Sequence, residues 1–245
     1  MVGKIKASLR AVVFGFINWF KFILDYRKFA FLHRKHPRFS MSWAGSYPIL
    51  NERTRETYFD AHYIYYPAWA ARILAKTKPD FHVDISSTLN FCTLVSAFIP
   101  MKFYDFRPAK IDLTGLQTDR ADLTHLSFPD ASIESLSCMH VVEHIGLGRY
   151  GDALDPDGDL RAMGELKRVM KKNGTLLFVV PVGQPVIRFN AHRIYSYDQI
   201  VSTFSELRLK QFALVDDSGS FILDADRSTA DKQKYGCGCW WFTRE

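Results

Sequence analysis

Residues 81–90 read FHVDISSTLN, and the fold turns on them. Apolar and β-branched residues lead to Asp84. Small polar residues then fill a tight turn ahead of the helical pattern FCTLVSAFI. This is the order of first strand, first turn and first helix in a nucleotide-binding α/β sheet. Such turns are glycine-rich, so that the backbone can approach a ligand and present its N–H groups. Here Ser86, Ser87, Thr88 and Asn90 stand in those places. Either their hydroxyls take over part of the ligand binding, or their Cβ atoms close the turn.

Downstream, MKFYDF predicts a second strand ending at Asp105. It lies about twenty residues beyond Asp84, the separation at which an acidic side chain meets the ribose of a nucleotide held at the first turn. Ile111–Leu113 reads as a short strand or a loop. In RADLTHLSFPDASIESLSCMHVVEHI, Asp122 follows a turn, Phe128-Pro129-Asp130 makes another, and Ile133 to Met139 predicts a strand. Asp159 to Lys171 predicts a helix with an acidic start and a basic end. Asn173-Gly174 then turns the chain into the strand TLLFVVPVG, and AHRIYSYDQI and FALVDDSG follow.

These segments together resemble class I S-adenosylmethionine-dependent methyltransferases over about residues 80 to 220. DISS, FNAHRIYS and the terminal YGCGCWWF resemble more narrowly the bacterial family called domain of unknown function 268, a methyltransferase-like group. The resemblance implies a Rossmann-like, doubly wound, mostly parallel α/β sheet and S-adenosylmethionine as cofactor. It places Asp84, Ser86, Ser87, Asp105, Asp122, Leu123 and Met139 around that cofactor, with Asp122 by the adenine. Residues 139 to 144 would border the cleft, with His144 or His140 as catalytic base beside Glu143. His192, Arg193 and Tyr195 would contact the acceptor. The expected reaction is O-methylation of a sugar in a cell-surface polysaccharide or lipid-linked glycan precursor; the alternative is a catalytically inactive binding or scaffold protein at the membrane.

The chain has 245 residues, 47% hydrophobic and 24% charged, enough for one α/β domain with an appendage. Its net charge of +6 comes from a basic excess before residue 60, which argues against a nucleic-acid-binding body. Four scattered cysteines are too few for a disulfide framework and indicate a reducing, cytoplasmic compartment. Residues 1–36 predict a helix with basic ends. Lys4, Ser8, Ala11, Gly15, Asn18, Asp25 and Lys28 form a narrow polar stripe, opposite an apolar face with Val12, Phe16, Trp19, Phe20 and Ile23. Its longest apolar run, AVVFGFINWF, is about half of what a membrane span needs. A helix lying on the inner face of the cell membrane, a helix packed on protein and a cleaved signal peptide all remain open. Residues 37–79 read as a connector and helical lead-in, interrupted at Pro67, and 80–245 as the α/β domain. Tyr58, His62, Tyr63, Tyr65, Tyr66 and Trp69 either line a pocket or form the core face of that lead-in helix.

Competing motifs are weaker. His140-Val-Val-Glu143-His144 fits the pattern of inverted zinc peptidases, which needs both histidines on one helix; here the first ends a β-rich run. Asp155-Pro-Asp157-Gly-Asp159 lacks the closing glutamate of a calcium loop. Cys237-Gly-Cys239 lacks a second ligand pair nearby and reads as packing beside Trp240 and Trp241. No resident metal is expected.

Overall fold

The computed structural model describes residues 2–245, with side chains from residue 14 onward. It divides into two compact units, Met1–Tyr58 and Phe59–Glu245. In the first, α1 (Val2–His33) is one long helix. The side chains of Lys4, Lys6, Ser8, Arg10, Ala11 and Val12, which the sequence places at its basic end, stripe and apolar face, lie outside the described residues. Farther along, Phe16, Trp19 and Phe20 of the expected apolar face are exposed. Another side of α1 is covered by the segment that follows it: Tyr26 meets Trp43 edge-on at 4.8 Å between ring centroids, and Arg53 donates to Asp25 at 2.5 Å. No described helix is long and apolar enough to cross a membrane.

The second unit begins earlier than residue 80, because α2 (Ala61–Thr77) is part of its core rather than a lead-in. Asp60 caps α2 by accepting from the Tyr63 N–H, and Lys78 ends it in the left-handed region at φ 47°. The helix runs through Pro67 without the expected break. Burial of Tyr66, Trp69, Ala70, Ile73 and Leu74 against the sheet outweighs the lost N–H donor.

The remaining elements are β1 (His82–Ile85), α3 (Leu89–Val95), β2 (Met101–Asp105), β3 (Leu116–Arg120), β4 (Ile133–Met139), a 3₁₀ turn (Val142–His144), α4 (Gly158–Val169), β5 (Met170–Val182), β6 (Val186–Arg188), β7 (His192–Ile194), α5 (Tyr197–Thr203), β8 (Arg208–Val215), β9 (Phe221–Ile222), α6 (Arg227–Ala230) and β10 (Gly236–Thr243). The main sheet has the order β3-β2-β1-β4-β5-β10-β8-β9. Strands β1 to β5 pair in parallel, and β10 inserts antiparallel between β5 and β8. Ile111–Leu113 forms no strand; Leu113 makes only an isolated bridge to Leu116. Helix α4 passes directly into β5, and Asn173 sits at φ 63° in an irregularity inside that strand.

Both faces of the sheet are covered, which is why β1, nearly all of β4 and the second half of β5 are continuously buried. Alternation sends Leu177 and Val179 towards α2 and α3, and Phe178 and Val180 towards α4 and α5. Gly238 has its own reason: a Cβ there would come within 2.3 Å of the Trp240 ring, which folds back over it.

Candidate functional site

Strand order reverses between β1 and β4, so their C-terminal ends form the switch point where α/β sheets bind ligands. Ser86 and His140 are the first residues past these two strands, and both have φ 58°. Left-handed backbone at two adjacent non-glycine residues costs about 1–2 kcal/mol each and is the kind of strain that collects at functional sites. The Ser86 N–H donates to the Tyr104 carbonyl (2.7 Å) and the His140 N–H to the Val179 carbonyl (2.8 Å), so each residue turns away while still held by its outer neighbour.

Beneath this crest lies a buried polar network. Asp84 is fully buried and receives the Ser87 N–H on Oδ1 (2.9 Å) and the Ser137 hydroxyl on Oδ2. Burial pushes its carboxyl up to about 6, opposed by hydrogen bonds from Ser137 and Ser87. His82 lies 2.8 Å from the Ser137 hydroxyl through Nε2 and 2.7 Å from that of Ser135 through Nδ1. Burial lowers its imidazole to about 3, so it is neutral. Because Ser137 spends its proton on Asp84, Nε2 carries the His82 proton and Nδ1 accepts from Ser135. The Ser87 hydroxyl in turn accepts the Met139 N–H at 3.1 Å. Asp84 therefore braces the turn from below: it is fully buried and, unlike Ser86 and Ser87, lines neither of the hollows above it.

Two hollows open on the crest and share Ser86 and Tyr150. One, of about 340 Å³, is walled by Phe106, Leu123, Val141 and Ile145, with Asp122 among its polar lining. Asp122 Oδ1 is taken by the N–H and hydroxyl of Thr124. A loop covers this hollow, pinned where Asp152 accepts from the N–H groups of Gly146, Gly148 and Tyr150. Asp105 ends β2 as expected, but its carboxylate accepts from the Arg107 N–H at 2.6 Å and does not line the hollow.

The second hollow, of about 510 Å³, is dense in ionisable side chains. His140 Nδ1 is 2.8 Å from Glu143 Oε1, and its Nε2 is 3.3 Å from Cys237 Sγ. Glu143 is 1% exposed, and its Oε2 has no partner. His144 Nδ1 donates to the Ala191 carbonyl at 2.6 Å, which fixes the tautomer and leaves Nε2 as a lone-pair acceptor 3.8 Å from Glu143. His192 Nε2 is buried and unpartnered; burial lowers this imidazole, against the pull of Glu143. Tyr235 is pushed up to about 12 by burial and then by Glu143.

Of the expected site residues, Ser86, Ser87, Met139, His140, Glu143, His144 and His192 come together here, and Asp122 and Leu123 in the smaller hollow. Arg193 and Tyr195 do not join them. The buried Arg193 guanidinium donates to the carbonyls of Ile145 (2.6 Å) and Pro156 (3.1 Å), and the Tyr195 hydroxyl to Asp159 (2.9 Å). Alternation along β7 sends His192 and Arg193 to opposite sides, so they cannot serve one acceptor. The inverted zinc-peptidase arrangement is also absent: His140 ends a strand, and only residues 142–144 form a 3₁₀ turn, so the two histidines do not share a helix face.

Residues 127–213 match the family model described as "Caenorhabditis protein of unknown function, DUF268". No curated protein matches the chain. Among solved structures, the YcgJ protein of Bacillus subtilis is 13% identical with a TM-score of 0.50, covering 73% of this chain and 99% of its own. A candidate methyltransferase from Bacillus halodurans is 12% identical, TM-score 0.51, covering 73% and 98%. The chain has the class I methyltransferase fold. A candidate sarcosine dimethylglycine methyltransferase from Galdieria sulphuraria shares that fold at 11% identity, TM-score 0.51, covering 73% and 84%. On this methyltransferase fold, sequence reasoning left out Arg149, Tyr150, Tyr235 and Cys237. The first two lie in a loop without periodic signal; Tyr235 reaches the cleft, and Cys237 comes within 3.3 Å of His140 behind it, because β10 pairs beside β5.

Proposed function

We propose that this protein binds S-adenosylmethionine and transfers its methyl group to a hydroxyl oxygen, that of a sugar in a cell-surface polysaccharide or lipid-linked precursor. The observation that carries the reading is the pair of hollows joined at Ser86 on the switch point of a methyltransferase-type sheet. The residues fit the cofactor. The smaller hollow offers apolar walls for a flat base, with Asp122 as polar lining, and the junction offers the Ser86 and Ser87 hydroxyls. Bound there, the cofactor supplies an electrophilic methyl group on a sulfonium. His144 Nε2 is placed to take the acceptor's proton, and Glu143 lies 3.8 Å away to stabilise the resulting imidazolium. The faces of Tyr63, Tyr150 and Tyr235 and the unpartnered His192 Nε2 suit a hydroxyl-rich ring. The exposed Phe16, Trp19 and Phe20 suit a lipid surface at the inner face of the membrane, where such a precursor would be met.

Calorimetric titration with S-adenosylmethionine and S-adenosylhomocysteine tests the reading. Micromolar binding, about −8 kcal/mol, weakened at least tenfold by Asp122→Ala, is expected. His144→Ala should keep that binding and lose transfer to glycan acceptors. Absence of heat at millimolar ligand would favour the second reading, a binding or scaffold protein, because the Ser86 side chain stands at the junction of both hollows.

A further inference from the structure

Three side chains remote in sequence meet beside the larger hollow, which His140 lines. His62 comes from the first turn of α2, His140 from the crest of β4 and Cys237 from the start of β10. One ligating atom from each lies within 4.8 Å of the other two. A tetrahedral zinc ion with bonds of about 2.0–2.1 Å to nitrogen and about 2.3 Å to sulfur places the two nitrogens about 3.3 Å apart and each about 3.6 Å from the sulfur. His140 Nε2 and Cys237 Sγ are already at 3.3 Å.

The surroundings favour an ion over plain packing. Glu143 accepts from His140 Nδ1 at 2.8 Å, which directs the Nε2 lone pair at Cys237. A buried carboxylate orienting a histidine in this way is the usual outer-shell support of a metal ligand. Among the described residues Glu143 has no lysine or arginine partner; its ion pairs are with His140 and His144 alone. A buried carboxylate without a fixed cation is costly. A divalent ion held by His140 would supply that positive charge one residue away.

We propose that His62, His140 and Cys237 bind a borderline-soft divalent cation of the zinc class, with its fourth position open to the larger hollow. The two imidazoles and one thiolate select zinc over magnesium or calcium. On binding, the Cys237 S–H bond breaks, its electron pair forms the metal–sulfur bond, and the proton passes to solvent. Three protein ligands with an open position is the pattern of an ion that takes exchangeable ligands. The literal sequence motif missed this set because its members are separated by 78 and 97 residues. The site stands independently of methyl transfer.

The test uses untagged full-length protein, stripped with a chelator and titrated with zinc and with cobalt. One equivalent of cobalt should give the visible bands of a tetrahedral site and a thiolate-to-cobalt charge-transfer band. Cys237→Ser should remove that charge-transfer band, and Cys239→Ser should leave it in place. His62→Ala, at a partly exposed position, should weaken zinc binding more than tenfold, and Glu143→Gln about 10- to 100-fold. Zinc should raise the melting temperature of the wild type and not of Cys237→Ser. A charge-transfer band that survives Cys237→Ser, or folded wild type that takes up no cobalt, overturns the proposal, as does unchanged zinc affinity in His62→Ala.

Discussion

Asp84 carries a charge where the sheet has no water to offer it, and its worth is decided by hydrogen bonds to two serines. Its folded carboxyl is raised to about 6 from 3.8, so the protonated form is favoured in the folded state and ionisation costs stability as pH rises through that window. At about 1.4 kcal/mol per unit, that cost is on the order of 3 kcal/mol. Asp84→Asn keeps an acceptor for the Ser87 N–H. Its amide can donate to Ser137, whose proton then turns to His82, with the His82 tautomer reversing. Urea unfolding from pH 4 to 7 should therefore find Asp84→Asn folded, with this pH dependence removed. Asp84→Ala orphans two buried donors and should lose about 1–3 kcal/mol for each. Equal damage from both variants would mean that the negative charge itself is required. The sequence marked Asp84 as a special position, but its bracing of the turn could not be read there, because Ser137 lies 53 residues away on β4. Ser86 yields a second expectation at this scale. With φ at 58°, Ser86→Gly should stabilise the protein by about 1 kcal/mol in the same experiment, and a loss of stability would show that the serine hydroxyl outweighs the strain.

Elements were more legible than side-chain roles wherever local pattern and burial agree. The strand expected at Ile133 to Met139 is β4 to the residue, and Asp105 ends β2 as read, since both are short apolar runs bounded by turns. What local pattern could not reveal is partnership. Strand β10 was read as cysteines packing beside tryptophans, yet it fills the centre of the sheet between β5 and β8. Its CGC segment also fits the packing: alternate residues Cys237 and Cys239 face α2, and Gly238 leaves room for the Trp240 ring. Gly238→Ala should overpack this point and cost about 1–3 kcal/mol, read as a fall in the urea midpoint with unchanged slope. A neutral result would mean that the Trp240 ring can swing out freely. The same strand brings Cys237 to the candidate site, so cleft chemistry and sheet stability are coupled through a single element.

Across the whole molecule, the pH dependence between 7 and 5 sets three histidines lowered by burial, His82, His62 and His192, against Asp84. Burial lowers His82 from 6.5 to about 3 and His62 to about 4, the latter also under repulsion from His140. A histidine whose folded value is depressed stabilises fully above 6.5, and that stability is lost as pH falls through 6.5 towards its folded value. Asp84 works in the opposite direction between about 6 and 3.8. Three groups against one, with the His82 and His62 shifts the largest, predict a melting temperature that falls from pH 7 to pH 5. His62→Gln removes one of the histidine contributions and should flatten this fall by a measurable fraction. Zinc gives the experiment a second reading. A ligated imidazole must lose its metal before it can take a proton, so saturating zinc should steepen the acid transition in the wild type and leave His62→Gln almost unmoved. If zinc changes neither profile while the apo wild type still shows the fall, the histidines act through burial alone and the fold's acid sensitivity owes nothing to a metal.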